Sequence, residues 1–343
     1  MLKIPVSRME ELLLKLSETN TVYAPIEVSG IVKFDKWAPE SAVRLDCLLT
    51  TNSIKNFFFL DVENIAAFST NRKEIEIKDI RKPTEPFVVF GARACDAESL
   101  NLLDRVFLSE PVDTFYQSRR QNGVVITLAC SAPEETCFCR AFDVDTSNPS
   151  GDIATWLVND ELYWKSFSQK GDRLTESVKN LFEEADGAAV EKQKNETAEI
   201  FKKLPFGDLN LKKPGKETLM EKFDSPEWGK LFNSCIACGI CTFICPTCHC
   251  YDIQDFNTGS EIRRFRCWDS CMNVDFTQMA HGNPRPSRLE RFRQRYMHKL
   301  VYFPESNDGV FACVGCGRCV RKCPVSMNIV KVAKALEGKD DVQ

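Results

Sequence analysis

A four-cysteine motif of one fixed spacing occurs twice in the C-terminal part of this chain. The two copies are CIACGICTFICP at Cys235–Pro246 and CVGCGRCVRKCP at Cys313–Pro324. In the spacing CxxCxxCxxxCP, the first three thiols come from one tight loop and can bind three irons of a [4Fe-4S] cluster. The fourth thiol precedes a proline and ligates the other cluster when two such motifs are paired. The repeat therefore predicts two cross-ligated clusters.

Cross-ligation divides the eight thiols of the repeat into two sets. The predicted ligands of one cluster are Cys235, Cys238, Cys241 and Cys323, and those of the other are Cys313, Cys316, Cys319 and Cys245. Glycines in both loops (Gly239, Gly315 and Gly317) suit a backbone whose N–H groups approach cluster sulfurs. The competing interpretation is a pair of zinc sites. Zinc usually takes paired CxxC knuckles, which would leave the third and fourth cysteines of each copy unexplained.

Charge and hydropathy exclude several other classes of protein. The 343 residues carry 45 Lys plus Arg against 49 Asp plus Glu, so a net charge of −4 favours neither nucleic acid nor a membrane surface as partner. No apolar run approaches the ~20 residues of a bilayer-spanning helix. The N-terminal sequence is typical of an amphipathic helix and not of an export signal. Because the 17 cysteines are odd in number and cluster at metal-ligand spacing, we expect a cytoplasmic, reducing environment without membrane insertion.

The chain before the repeat has a different pattern. Strand-like runs are predicted at 54–60, 86–90 and 124–130, a hairpin at 155–167 and a helix at 95–108. This mixture favours an α/β-like N-terminal domain and an α+β class for the whole chain. A Lys-rich, turn-rich stretch from about 205 to 225 marks the predicted boundary. The predicted domains are therefore residues 1–225 and 226–343, the second with a helix at 288–303.

Four further thiols belong to the first domain. Cys95 follows the strand at 86–90, Cys130 ends the strand at 124–130, and Cys137 and Cys139 lie in the loop after it. If those strands neighbour each other in one sheet, the sulfurs converge at its carboxyl edge, where α/β folds commonly build sites. We predict a third [4Fe-4S] cluster there, and ordinary buried thiols are the alternative. Asp96 is interpreted as a helix cap or salt-bridge partner and not as a ligand.

A separate group of metal-ligating residues lies between the two copies of the repeat. It comprises Cys248, His249 and Cys250 in PTCHC and Cys267 and Cys271 in RCWDSCM. Thiols at these spacings could converge on an additional metal of unspecified identity, or they could simply line the core of the domain. The sequence leaves both interpretations open.

Several segments together resemble a known family of iron-sulfur subunits. They are GARACDAESLNLLDRVFLS, CSAPEETCFC, CIACGICTFICPTCHCYDI, RCWDSCM, NPRPSRLERFRQRYMHK and CVGCGRCVRKCP. The family includes the A subunit of anaerobic sulfite reductase and the beta subunit of archaeal sulfhydrogenase. The resemblance runs from about residue 86 to the end and implies that Cys95, Cys130, Cys137 and Cys139 match the family's N-terminal set. Cys248, Cys250 and Cys271 also match family positions, whereas Cys47 and Cys267 depart from them.

The resemblance also implies a fold and a function. Residues 226–343 resemble the α-helical ferredoxin domain of fumarate reductase and heterodisulfide reductase subunits. Such a subunit carries electrons between a flavin-containing reductase, linked to NAD(P)H or ferredoxin, and a separate catalytic subunit of an anaerobic oxidoreductase complex. This chain contains neither GxGxxG nor GxxxxGK[ST], so flavin and nicotinamide are expected on a partner, and no residue is predicted to be catalytic. The alternative is an iron-sulfur redox sensor or scaffold protein.

Overall fold

The computed structural model describes residues 1–71, 74–207, 209–211, 219–259 and 261–337. The strands are β1 (Leu2–Pro5), β2 (Thr21–Val28), β3 (Ile31–Lys36), β4 (Val62–Asn71), β5 (Glu74–Asp79), β6 (Phe87–Ala92), β7 (Gly123–Leu128), β8 (Ile153–Val158), β9 (Glu161–Ser166), β10 (Glu183–Glu184), β11 (Tyr251–Asn257) and β12 (Ile262–Trp268). The helices are α1 (Met9–Ser17), α2 (Lys55–Phe58), α3 (Ala94–Phe107), α4 (Thr114–Asn122), α5 (Gln169–Val178), α6 (Ala188–Lys202), α7 (Leu219–Phe223), α8 (Glu227–Leu231), α9 (Ile240–Phe243), α10 (Arg288–Met297), α11 (Phe303–Ser306), α12 (Arg318–Lys322) and α13 (Ile329–Leu336).

The chain divides into two compact units that are discontinuous in sequence. Unit 1 consists of Met1–Phe58, Glu85–Lys212 and Cys313–Arg321, and unit 2 consists of Phe59–Thr84, Lys213–Ala312 and Lys322–Gln343. The passage from one unit to the other at 212/213 falls within the boundary expected at 205–225, of which residues 208 and 212–218 lie outside the described part. The division into contiguous domains 1–225 and 226–343 stays a prediction.

Unit 1 is built on an eight-stranded sheet in the order β10-β1-β9-β8-β7-β6-β2-β3. The strands β2, β6, β7 and β8 are parallel to their neighbours at the centre, and the flanking pairs are antiparallel. Every residue of β6 and β7 is buried, as expected of central parallel strands that are covered on both faces. The carboxyl ends of these two strands therefore lie side by side.

The sheet of unit 1 is covered by amphipathic helices. In α1 the buried residues Met9, Leu12, Leu13 and Leu16 recur at helical spacing and pack with β6, β7 and α5 in one core. Full burial of each leucine contributes about 1.5–3 kcal/mol of transfer free energy. Helix α6 adds Val190 to a second cluster around Trp156 of β8. Through these contacts the helices pack against the central strands of the sheet.

Most of the predicted elements of unit 1 are confirmed, and one is wrong. The strands at 86–90 and 124–130 are β6 and β7, the hairpin is the antiparallel pair β8–β9, and the helix at 95–108 is α3. The stretch 54–60 was predicted as a strand, but α2 occupies its centre. Phe58 of α2 packs against Phe87 with ring centroids 5.3 Å apart. A short apolar run fits a strand or a buried helical turn equally well, so periodicity alone could not distinguish them.

Unit 2 combines a small sheet with helices. The strand order is β11-β12-β4-β5, and all its pairs are antiparallel. The β11–β12 hairpin was not anticipated, because the sequence was expected to be helical in this region. The predicted helix at 288–303 is confirmed as α10, a π-helical turn at His298–Tyr302 and the start of α11, with a capping box between Ser287 and Glu290. Within the described residues, no helix is long and apolar enough to cross a bilayer.

A buried ion pair in the sheet of unit 2 gives a stability prediction. Glu63 of β4 accepts from Arg266 of β12 at 2.6 Å, and both side chains are 5% exposed. We expect Glu63→Gln to lower the free energy of unfolding by about 3–5 kcal/mol, because the guanidinium stays buried without this carboxylate. The measurement is urea unfolding under anaerobic conditions, followed by circular dichroism.

The same strand supplies the matched control for that prediction. Arg264 pairs with Asp255 of β11 at 2.7 Å, but these side chains are about half exposed. Asp255→Asn should therefore change the free energy of unfolding by no more than about 1 kcal/mol. Equal losses in the two variants would show that burial does not set the contribution of the Glu63–Arg266 pair.

Candidate metal centres

The four predicted thiols of the N-terminal set converge in unit 1. Cys95 lies in the first turn of α3 directly after β6, and Cys130 directly follows β7, the parallel neighbour of β6. Cys137 and Cys139 lie in the loop that follows. All four are at most 8% exposed. The neighbouring ends of β6 and β7 thus place Cys95 and Cys130 at the carboxyl edge of the sheet, and ligation of one cluster by all four thiols stays a prediction.

Burial and mutual proximity govern the protonation of this set. Burial raises the pKa of Cys137 to about 12 and raises the pKa values of Cys95, Cys130 and Cys139 above the usual thiol range. The pKa of Cys139 is raised further by the thiols of Cys130, Cys137 and Cys316, which lie close to it. Without a bound metal such thiols are neutral, and a metal that binds them must displace their protons.

The second copy of the repeat lies against the loop that carries Cys137 and Cys139. The amide of Phe138 donates to the carbonyl of Gly315 at 3.0 Å. A Cβ atom at Gly315 would come within 2.4 Å of the Phe138 carbonyl oxygen, and one at Gly317 would come within 2.4 Å of that of Thr136. Both glycines also have positive φ, +57° and +78°. These glycines therefore allow two backbones to approach each other, a contact that the motif itself does not reveal.

A buried ion pair joins the second copy of the repeat to the first turn of α3 in unit 1. Arg318 lies between the second and third thiols of the repeat copy at Cys313–Pro324, and it donates to both carboxylate oxygens of Asp96 at 2.9 and 3.1 Å. It also donates to the carbonyl of Thr50 at 3.2 Å. The side chains are 3% and 1% exposed. Asp96 is thus confirmed as a salt-bridge partner. Sequence reasoning missed Arg318, although an arginine inside a glycine-rich thiol loop requires a buried acceptor.

Four thiols that were assigned to one cluster line a single cavity in unit 2. They are Cys235, Cys238, Cys241 and Cys323. Backbone amides point at two of these sulfurs: Ala237 donates to Cys235 at 3.4 Å, and Met327 donates to Cys323 at 3.2 Å. Gly239, with φ +73°, supplies the left-handed turn inside the loop. Arg295 also lines the cavity and lowers the pKa of Cys241 against the stronger effect of its burial.

The four thiols predicted for the other cluster belong to both units. Cys313, Cys316 and Cys319 are part of unit 1, and the amide of Gly315 donates to Cys313 Sγ at 3.4 Å. Cys245 is part of unit 2. The assignment of these four residues to one cluster stays a prediction.

Cys245 has a polar environment of its own in unit 2. Its Sγ lies 3.2 Å from Thr247 Oγ1, and the Lys299 ammonium donates to the same hydroxyl at 2.8 Å. A hydrogen bond from Cys248 and the charge of Lys299 together hold the pKa of Cys245 well below the usual thiol range. Sequence reasoning did not identify Thr247 or Lys299, because the spacing of thiols assigns no role to a threonine or a lysine.

The additional thiol group is only partly brought together. Cys250 and Cys271 form a hydrogen-bonded pair, which lowers the pKa of Cys250 to about 7. Cys267 lies on β12 opposite Asp252, and the ring of His249 packs edge-on against His298 with centroids 5.4 Å apart. In the described part of the chain, no three His, Cys, Asp or Glu residues are arranged around a single metal ion. Metal binding by Cys248, Cys250 and Cys271 stays a prediction.

Comparison with known proteins identifies the family. Residues 234–327 match the family described as a 4Fe-4S dicluster domain. Sulfhydrogenase 2 subunit beta of Pyrococcus furiosus is 33% identical over 324 residues, which cover 93% of this chain and 92% of the relative. This chain belongs to the sulfhydrogenase beta subunit family. The family resemblance of the cysteine segments is thereby confirmed. No solved structure matches the chain.

The thiol groups of this family member fit [4Fe-4S] clusters chemically. The cavity of unit 2 offers four sulfur donors from two motifs, which is the donor set of a [4Fe-4S] cluster. Backbone amides donate to Sγ atoms in both copies of the repeat. Such N–H donors stabilise thiolate ligands and tune the potential of a cluster.

The close backbone approach in unit 1 gives a second prediction. Gly317→Ala and Gly30→Ala both place a Cβ at nearly the same φ, +78° and +76°, which costs about 1–2 kcal/mol in either case. At Gly30 nothing lies within 4 Å of that Cβ, whereas at Gly317 the carbonyl oxygen of Thr136 lies 2.4 Å away. We expect Gly317→Ala to lower the free energy of unfolding by at least about 1 kcal/mol more than Gly30→Ala does.

Hydrogen–deuterium exchange of the peptide at 136–139 would localise the effect. Exchange should rise there in Gly317→Ala and not in Gly30→Ala. Identical exchange in the two variants would mean that the loops are not held by this contact.

Proposed function

We propose that this chain is a non-catalytic electron-relay subunit of an anaerobic oxidoreductase complex. The observation that carries the proposal is the ring of Cys235, Cys238, Cys241 and Cys323 around one cavity. It joins three thiols of the first motif to the last thiol of the second, which is the pairing that cross-ligated clusters require. The dicluster domain and the sulfhydrogenase relative support the same interpretation.

The proposed relay contains three [4Fe-4S] clusters. The first is held by the ring in unit 2, and the second by Cys313, Cys316, Cys319 and Cys245, within an α-helical ferredoxin-like domain. The third is held by Cys95, Cys130, Cys137 and Cys139. The burial of these four thiols and their electrostatic influence on one another support this third assignment over that of ordinary core cysteines.

The contacts suggest an order for the relay. The loop of the second motif is hydrogen-bonded to the loop of Cys137 and Cys139, so the N-terminal cluster and the second-motif cluster are neighbours. Cys323 is the last thiol of that same motif and is assigned to the first-motif cluster. Electrons would pass from the N-terminal cluster through the second-motif cluster to the first-motif cluster, or in the reverse direction.

The residues of this chain do not take part in bond making. When bound, [4Fe-4S] clusters supply one-electron transfer. The thiolates hold the irons, and the burial of the four N-terminal thiols limits the access of water to their cluster. The amides of Ala237, Gly315 and Met327 donate to sulfur and favour the more negative, reduced state.

The substrate chemistry belongs to partner subunits in this proposal. A flavin-containing reductase subunit, linked to NAD(P)H or ferredoxin, exchanges electrons with one end of the relay, and a catalytic oxidoreductase subunit exchanges them with the other. The relative is named as one subunit of a sulfhydrogenase, which supports a multi-subunit assembly. The sequence contains neither of the two nucleotide-binding fingerprints, which supports the proposal that flavin and nicotinamide belong to a partner. The proposed compartment is the cytoplasm.

Metal analysis of the anaerobically purified protein tests the relay. Three clusters require about twelve irons per chain, with interacting EPR signals after reduction, and the subunits that co-purify would identify the complex. Zinc in place of iron would overturn the proposal. A single labile cluster together with a co-purifying transcription factor would favour the sensor interpretation.

Ligand variants test the third cluster separately. Cys137→Ser should remove about four irons per chain and leave the signals of the other clusters. Cys47→Ser is the matched control, because Cys47 belongs to unit 1 but departs from the family positions, and it should retain all iron. Full iron content in Cys137→Ser, or equal loss in both variants, would contradict the assignment.

A further inference from the structure

Lys299 is a lysine buried among the cysteines of unit 2. It lies in the π-helical turn His298–Tyr302 and is 3% exposed. A π-helical turn inside a helix is rare and often occurs at a functional site. Burial of an ammonium group is expensive unless nearby groups compensate it. The groups that contact the Lys299 ammonium must therefore compensate the cost of its burial.

The contacts of Lys299 lead to a predicted cluster ligand. Its Nζ donates to Thr247 Oγ1 at 2.8 Å and to the carbonyl of Ala312 at 2.9 Å. The Thr247 hydroxyl donates to that carbonyl at 2.8 Å and lies 3.2 Å from Cys245 Sγ. Thr247 is 3% exposed. The Lys299 ammonium thus contacts the Thr247 hydroxyl, and this hydroxyl contacts the Cys245 sulfur. One hydroxyl group therefore separates the positive charge from the thiol.

We propose that Lys299, acting through Thr247, is a positioning residue that raises the reduction potential of the cluster ligated by Cys245. This inference rests on the proposed function, because it requires a cluster at that thiol. Reduction adds one negative charge to the cluster. A buried positive charge stabilises that state, and Thr247, which accepts from the ammonium, holds the charge near the Cys245 sulfur.

The geometry distinguishes the two predicted ligand sets of the repeat. In the first-motif ring, the polar contacts to sulfur are backbone amides. At Cys245, the contact is a side-chain hydroxyl that a buried ammonium holds in place. Backbone amides are common to any cluster loop, whereas the Lys299–Thr247 pair is specific to this position. The pair is thus a means of setting different potentials on two clusters with the same ligands.

The test is an EPR-monitored redox titration of the anaerobically purified full chain. Lys299→Met keeps the volume of the side chain and removes its charge. We expect the reduction equilibrium constant of one cluster to fall about tenfold or more, which corresponds to 59 mV for a one-electron couple. The signal that shifts should be the signal that Cys245→Ser abolishes. The other clusters should keep their wild-type potentials.

Thr247 variants separate the proposed role from a structural one. Thr247→Val keeps the shape and removes the hydroxyl, so the same cluster should shift in the same direction by a smaller factor. Thr247→Ser restores the hydroxyl and should restore the wild-type potential. If Lys299→Met loses its iron, the two Thr247 variants become the test. An unshifted cluster potential in Thr247→Val then overturns the inference.

A partly buried lysine of unit 1, 27% exposed, serves as the control. Lys170 donates to the carbonyls of Arg120 and Gly123 and lies 3.6 Å from Asp152. Lys170→Met should leave every cluster potential unchanged. If Lys299→Met also leaves them unchanged while its iron content is normal, the inference is wrong and the relay stands. If the wild-type protein holds no [4Fe-4S] cluster, the proposed function itself fails.

Discussion

In unit 1, the backbone at Gly315–Gly317 contacts the backbone at Thr136–Cys139. The thiol arrangement of this unit depends on that contact. Each glycine leaves too little space for a Cβ atom, so the two loops touch through their main chains alone. The buried Asp96–Arg318 pair ties the same repeat loop to the first turn of α3, since its geometry is bidentate and either charge alone would be costly. Segments about 180 residues apart in sequence are thereby held together, and a relay between their cysteines needs that fixed separation.

The location of the N-terminal thiols at the end of the sheet could be predicted from the sequence, because two general rules apply to them. Strand periodicity identifies β6 and β7, and the carboxyl ends of neighbouring parallel strands meet at one edge of a sheet. Cys95 and Cys130 directly follow those strands, so their convergence needs only that the strands be neighbours. The repeat spacing likewise predicts its ligand sets from local chain geometry. In both cases the information is contained in a few consecutive residues.

The remaining features depend on partners that are distant in sequence. The β12 strand pairs with β4 across about 200 residues, and the Glu63–Arg266 pair lies on that ladder. No local pattern at β12 specifies this neighbour, so the small sheet of unit 2 was missed. Arg318 and Lys299 were missed for the same reason, because each becomes meaningful only when its buried acceptor is known. These charges need a partner because the fold buries them, and their burial cannot be predicted from the local sequence.

Several buried cations lie beside candidate ligand thiols. Three of them favour the thiolate form of a neighbouring cysteine: Arg93 beside Cys130, Arg295 beside Cys241 and Lys299 beside Cys245. Each of these also donates to a backbone carbonyl, which supplies a hydrogen-bond acceptor to the buried cation. Arg318 shares a bidentate pair with Asp96 and likewise favours the thiolate form of Cys95. Its ion pair therefore fixes its position, while its charge, like those of the other three cations, offsets part of the negative charge that thiolate ligands bring into a buried site.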